Sequence, residues 1–210
     1  MTEKTRFIVF IIGAVVLSYI PILHWPFSWL ETYFHEISHG IAALVSGGHI
    51  NVIVLNLDGS GLCQTQGGWR PLVAFSGYLG AVIWGAVVYL GARASGKANR
   101  WLAPAIVLMI AISAVMWVRD IITMAILTII CTALYLSFRH LVGRIFPSFM
   151  QFAGVYIMVS AAHAPLNLID GRSTGDGATL ARLTFIPEIV WVALWCAIAA
   201  GTIITIWRKT

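Results

Sequence analysis

Five consecutive residues, His35-Glu36-Ile37-Ser38-His39, put two imidazoles and a carboxylate inside a stretch of chain apolar enough to enter a membrane. Residues four apart on a helix share a face, so His35 and His39 can offer ring nitrogens to one metal ion while Glu36 stands beside it. Zinc suits such a site. It takes neutral nitrogen or anionic ligands and keeps a position open for water, whose proton an adjacent carboxylate can accept during attack on a carbonyl. Ionisable groups are costly in hydrocarbon and persist there where they pair, bind ions or do chemistry. The motif therefore points to a hydrolytic metal centre inside a membrane; the plain alternative is a set of satisfied interior polar groups, or a helix end close to the headgroups.

Composition identifies the solvent. The 210 residues are 60% hydrophobic and only 10% charged, with a mean hydropathy of +0.89, against about 25% charged in soluble domains. A membrane span needs about 20 mostly apolar residues. Candidate runs lie near 7–23, 27–45, 72–90, 101–118, 121–138, 146–162 and 185–206. The chain reads as a single integral-membrane domain over 1–210, an all-α polytopic protein of six to seven transmembrane helices. The longest polar intervals, 49–70 and 167–184, are too short for a soluble domain, so any chemistry must be built by the membrane core. Lys4 and Arg6 before the first run imitate a signal peptide, but the run is long and no small-residue cleavage pattern follows, which favours a retained span. Trp25, Trp29, Trp69, Trp101 and Trp117 sit near segment ends, as interfacial anchors do.

The net charge of +5 suits loops facing anionic lipid headgroups, and no basic patch with interleaved aromatics suggests nucleic acid as a partner. Orientation is balanced. If all seven runs cross, Lys4, Arg6, Arg70, Arg119, Arg172 and Arg182 share one side, while Arg93, Lys97, Arg100, Arg139, Arg144, Arg208 and Lys209 share the other. If one early run is re-entrant, Lys4 and Arg6 change sides and the balance becomes nine against four. Cys63, Cys131 and Cys196 have no C-x-x-C spacing and read as packing residues, with Cys63 a minor alternative as a thiolate ligand.

After the motif, Gly47-Gly48 ends the helix, and the run from His49 to Asn56, then Asp58-Gly59-Ser60-Gly61 and a second short run through Thr65, carries a hairpin signal. Such a hairpin could offer an open edge to an extended substrate; an ordinary interhelical loop fits the sequence equally well. Small residues in Ser76-Gly77-Tyr78-Leu79-Gly80 fit close helix packing against the motif helix. Glu31, one turn before His35, could line a wet cavity or orient that imidazole, although a solvated acid near the interface is the preferred reading.

The motif supplies two ligands and a catalytic zinc usually has three. His163, Asp170 and Asp176 are the candidates. Asp170 is favoured because Pro165 interrupts the preceding helix and can expose backbone to a cavity. His163 and Asp176 remain rivals.

These elements resemble the site-2 protease group of intramembrane zinc metalloproteases, the M50 peptidases, and in particular their short M50B-like branch. The resemblance rests on Phe34-His35-Glu36-Ile37-Ser38-His39-Gly40-Ile41-Ala42-Ala43-Leu44, on Gly47-Gly48 and the hairpin, on Gly67-Gly68 leading into Ser76-Gly77-Tyr78-Leu79-Gly80, and on Asn167-Leu168-Ile169-Asp170-Gly171. It implies one zinc ion on His35, His39 and Asp170, Glu36 as general base, and Asn167 near the substrate carbonyl. It also implies that the partner is a transmembrane protein substrate, cut in or near its membrane segment. Two departures stand out. The late element is Ile-Asp-Gly instead of Leu-Asp-Gly, and the branch's S-D-A element corresponds to Gly175-Asp176-Gly177, which keeps Asp176 in contention. A silent scaffold of the same fold that binds membrane helices, and a small metal- or ion-handling membrane protein, are the rival classes.

Overall fold

The computed structural model describes residues 1–94, 97–141, 143, 145–169 and 174–210. Among them are α1 (Glu3–Ser18), α2 (Trp25–Val45), β1 (His49–Leu55), β2 (Gly61–Gln66), α3 (Arg70–Arg93), α4 (Lys97–Trp117), α5 (Ile121–His140), α6 (Ile145–His163), α7 (Gly175–Thr184) and α8 (Glu188–Lys209). A short 3-10 helix, Ala164–Leu168, extends α6.

Five helices, α3, α4, α5, α6 with its extension, and α8, are long and apolar enough to cross a membrane. Each coincides with one of the apolar runs. Leu108, Val115, Ile129, Leu136 and Ile204 on these helices are exposed, as lipid-facing residues are. The two remaining runs depart from expectation for different reasons. With 16 residues, α1 is about 24 Å long, short of a hydrocarbon core of about 30 Å. With 21 residues α2 has the length, but Glu31, His35, Glu36 and His39 make it polar, and 13 of its residues are buried. It is wrapped by protein instead of lipid.

The wrapping helices can approach closely because their contacts are small. A Cβ on Gly154 of α6 would lie 2.7 Å from the Gly85 carbonyl oxygen and 2.6 Å from the Tyr89 amide nitrogen, so α3 and α6 meet backbone to backbone. Ser38 of α2 similarly occupies the space left by Gly80 of α3. Larger groups complete the core: the Phe34 and Trp84 rings stack with centroids 5.1 Å apart, and the buried hydroxyls of Tyr33 and Ser113 share a 2.8 Å hydrogen bond.

The hairpin forms as its turn signal implies. Asp58 Oδ1 accepts from the Ser60 amide at 2.9 Å and from its hydroxyl at 2.7 Å, closing the turn. β1 and β2 pair antiparallel from His49 opposite Gln66 to Leu55 opposite Gly61, with an irregularity between Ile50 and Val52. Gly67 and Gly68 take φ values of +73° and +74° as the chain leaves β2, a pair of conformations that other residues rarely adopt.

Two threonines fix the hairpin to the bundle. Thr32 Oγ1 of α2 donates to the Gly59 carbonyl at 2.6 Å. Thr123 Oγ1 of α5 accepts from the Leu55 amide at 2.8 Å and donates to the Leu55 carbonyl at 3.3 Å, with both residues fully buried. Thr123→Val keeps the shape and removes both bonds. It is expected to destabilise the fold by about 1–3 kcal/mol, seen as a lower unfolding temperature in detergent; an unchanged temperature would mean that the clasp contributes nothing.

Candidate active site

A cavity of about 980 Å³ opens between α2, β2, the start of α3, the 3-10 helix and the start of α7. His35, Glu36 and His39 line it, the two histidines from one helical face as their spacing requires and Glu36 beside them.

The imidazoles are held in place by their neighbours. His39 Nδ1 lies 2.6 Å from the Val73 carbonyl oxygen. A carbonyl can only accept, so Nδ1 carries the proton and Nε2 turns a lone pair into the cavity. The His35 ring stands edge-on to Tyr78, with centroids 4.5 Å apart, and Tyr78 in turn packs on Trp195.

Asp176, in the first turn of α7, meets both rings. Its Oδ2 is 3.1 Å from His35 Nε2 and 3.2 Å from His39 Nε2, and the two nitrogens are 3.0 Å apart. Three donor atoms on a tetrahedral zinc with bonds near 2.0–2.1 Å would be about 3.3–3.4 Å apart. The observed triangle is close to that size. Burial by itself would raise the Asp176 carboxyl above its usual range, but the two imidazoles outweigh it and hold the group below that range, as an anionic ligand.

Gly77 supplies the room. A Cβ there would come within 2.5 Å of Nε2 of both histidines, so any larger residue would intrude where the lone pairs converge. Two imidazole nitrogens and a carboxylate oxygen around such a gap suit a zinc ion.

Glu36 is buried beside this cluster, under β2. A Cβ on Gly61 would lie 2.8 Å from Glu36 Oε1, and the Cys63 backbone amide also faces the carboxylate. Cys63 lines the cavity without joining the ligand cluster, and burial, then the nearby Glu36, pushes its thiol up to about 12. It remains a thiol and a packing residue. Glu31 corrects the solvated-acid expectation: it is buried at 7% exposure and lines the cavity, with Ser160 as a hydrogen-bonding neighbour.

The other sequence candidates are dispersed. Asn167 lines the cavity from the 3-10 helix. His163 is exposed at the end of α6. Asp170 lies outside the described residues. Among the described residues, His35, His39 and Asp176 are the one group of three whose ligand atoms lie within reach of a common ion. Sequence reasoning did not find the Val73 carbonyl, because a backbone acceptor leaves no trace in residue type. It found Gly77 only as a packing residue.

Five helices apolar enough to cross a membrane surround an H-E-x-x-H helix, and an aspartate from a distant helix meets its two histidines. The Peptidase M50B-like family model matches residues 8–206, and the chain belongs to that family. No curated protein and no solved structure matches the chain.

Proposed function

We propose that this protein is a zinc-dependent intramembrane endopeptidase that hydrolyses peptide bonds in or near transmembrane segments of other membrane proteins. The observation that carries the reading is the convergence of His35 Nε2, His39 Nε2 and Asp176 Oδ2 within 3.0–3.2 Å of one another beside Glu36, in a cavity of a membrane-peptidase family member. His35, His39 and Asp176 hold the metal. When bound, zinc supplies Lewis-acid polarisation of the scissile carbonyl and makes water a nucleophile at neutral pH.

The chain's own groups do the rest. Glu36 accepts the proton of the attacking water and delivers it to the leaving amine, so one carboxylate serves as base and then as acid. The Val73 carbonyl keeps His39 in the tautomer that a metal needs. Among the described residues β2 pairs only with β1, which leaves its second edge open, and its residues from Leu62 to Gln66 line the cavity. An unwound substrate segment adds to that edge as a third strand, placing its scissile carbonyl within reach of the water whose proton Glu36 accepts. Asn167, on the opposite wall, donates its amide to the same segment.

The test is a comparison of Asp176→Asn with Asp170→Asn in purified protein, measuring zinc content and cleavage of transmembrane reporter substrates. Asp176→Asn is expected to lose both zinc and cleavage, while Asp170→Asn keeps its zinc. The reverse pattern would transfer the third ligand to Asp170.

A further inference from the structure

Three of the helices able to cross a membrane, α4, α5 and α6, each bring one end to a second hollow of about 470 Å³. Asn99 and Arg100 reach it from the start of α4, Phe138 and Arg139 from the end of α5, and Phe146 and Pro147 from the start of α6. It is distinct from the metal cavity, with which it shares no lining residue.

The hollow has an apolar side and a cationic one. Phe138 and Phe146 meet edge to face with ring centroids 5.7 Å apart. Arg100 and Arg139 supply two positive charges, and both residues are exposed, so a ligand can reach them. Arg139 is steadied by the Tyr135 hydroxyl, to which it donates at 3.3 Å. Among the described residues no Asp or Glu lines the hollow, and neither arginine takes part in an ion pair. Two guanidiniums thus share a site with no anion from the chain itself.

The depth of the hollow names its surroundings. Spanning helices end where hydrocarbon gives way to headgroups. Trp101, beside Arg100, is 67% exposed and Tyr135 is 53% exposed, as aromatic residues of an interfacial belt are. At that level the neighbouring molecule is a phospholipid, and the part it presents is its phosphate. Guanidinium forks suit phosphate oxygens because they offer paired N–H donors. Basic hollows between membrane helices accept anionic headgroups for this reason. A zwitterionic headgroup would bring its own cation against two arginines with no acid to receive it.

We propose that this hollow binds one phospholipid with an anionic headgroup, its phosphate on Arg100 and Arg139 and its first methylenes on Phe138 and Phe146. The lipid fastens the ends of three helices to one another. The site stands whether or not the protein is a protease.

The test uses the full chain, stripped of lipid in a neutral detergent, and follows lipid binding by native mass spectrometry. The probes are dioleoyl-phosphatidylglycerol and dioleoyl-phosphatidylcholine. One phosphatidylglycerol per chain is expected to bind in preference to phosphatidylcholine and to raise the unfolding temperature. Arg100→Gln with Arg139→Gln is expected to weaken that binding by at least about tenfold, the factor carried by one hydrogen bond to a charged group. Arg208→Gln with Lys209→Gln removes the same charge from the end of α8 and is expected to leave binding unchanged. Equal loss in both double variants would reduce the effect to overall charge and overturn the proposal. If the arginine variant fails to fold, the wild type decides: equal binding of the two lipids overturns the proposal. Complete displacement of phosphatidylglycerol by millimolar inorganic phosphate would make this a site for the free anion and overturn the lipid assignment.

Discussion

Glu36→Gln is expected to reduce peptide-bond cleavage by roughly 100- to 10,000-fold, the range that a positioned acid–base group contributes, while zinc content stays unchanged. The amide has the size of the carboxylate, so it still fits under β2, where a Cβ on Gly61 would already lie 2.8 Å from Glu36 Oε1. It contacts the same backbone and leaves His35, His39 and Asp176 untouched. What it lacks is a basic oxygen to receive a proton from water. The measurement is cleavage of a panel of transmembrane reporters by purified protein in detergent, with metal quantified in the same samples. Full activity in the variant would remove Glu36 from proton transfer. Zinc retained by the wild type without any cleavage would favour a helix-binding scaffold, and zinc flux into vesicles would favour a metal transporter.

Gly77→Ala should have the opposite signature, losing the metal first and cleavage as a result. The added methyl carbon would come within 2.5 Å of His35 Nε2, His39 Nε2 and close to His39 Cε1, all of which belong to rings fixed from behind. His39 cannot retreat without breaking its 2.6 Å bond to Val73, and His35 is backed by Tyr78. Disturbing groups that orient metal ligands costs roughly 10–100-fold in affinity, and a direct steric intrusion should cost at least that much. Gly201→Ala is the control, since a Cβ there meets nothing within 4 Å. Competition titration with a zinc-binding dye reads the affinity. Equal zinc affinity in Gly77→Ala and wild type would show that the metal does not sit between the imidazoles.

Much of this arrangement is legible in the residues. The run at 121–138 becomes Ile121–His140 and the run at 72–90 becomes Arg70–Arg93, because uninterrupted apolar stretches of that length have few ways to satisfy their backbone other than as helices. The hairpin follows from Asp58-Gly59 between short extended runs. Helix spacing alone brings His35 and His39 to one face, with Glu36 beside them. The third carboxylate is a different problem. Asp176 is 141 residues from His35, and nothing local in the chain records that α7 folds back over α2. Proline and neighbouring residues direct attention to Asp170, which lies outside the described residues, while the proximity of Asp176 to the imidazoles is visible only once α3, α7 and α8 are packed. Glu31 is misjudged for a related reason. Trp25 and Trp29 make its surroundings resemble a membrane surface, whereas the fold closes over it.

The polarity of α2 bears on how the protein is made. A helix carrying two glutamates and two histidines has a weak case for leaving the translocation machinery by itself, because each charged group raises the cost of entering lipid. The small faces of α3 that receive Ser38 and the two imidazoles offer it a berth in the bilayer, but they are synthesised later. Stable insertion of α2 is therefore expected to need α3 and α6, and the His35–His39–Asp176 cluster closes only after α7 follows them. A chain that stops before α6 should be recognised by quality control as an unfinished membrane protein.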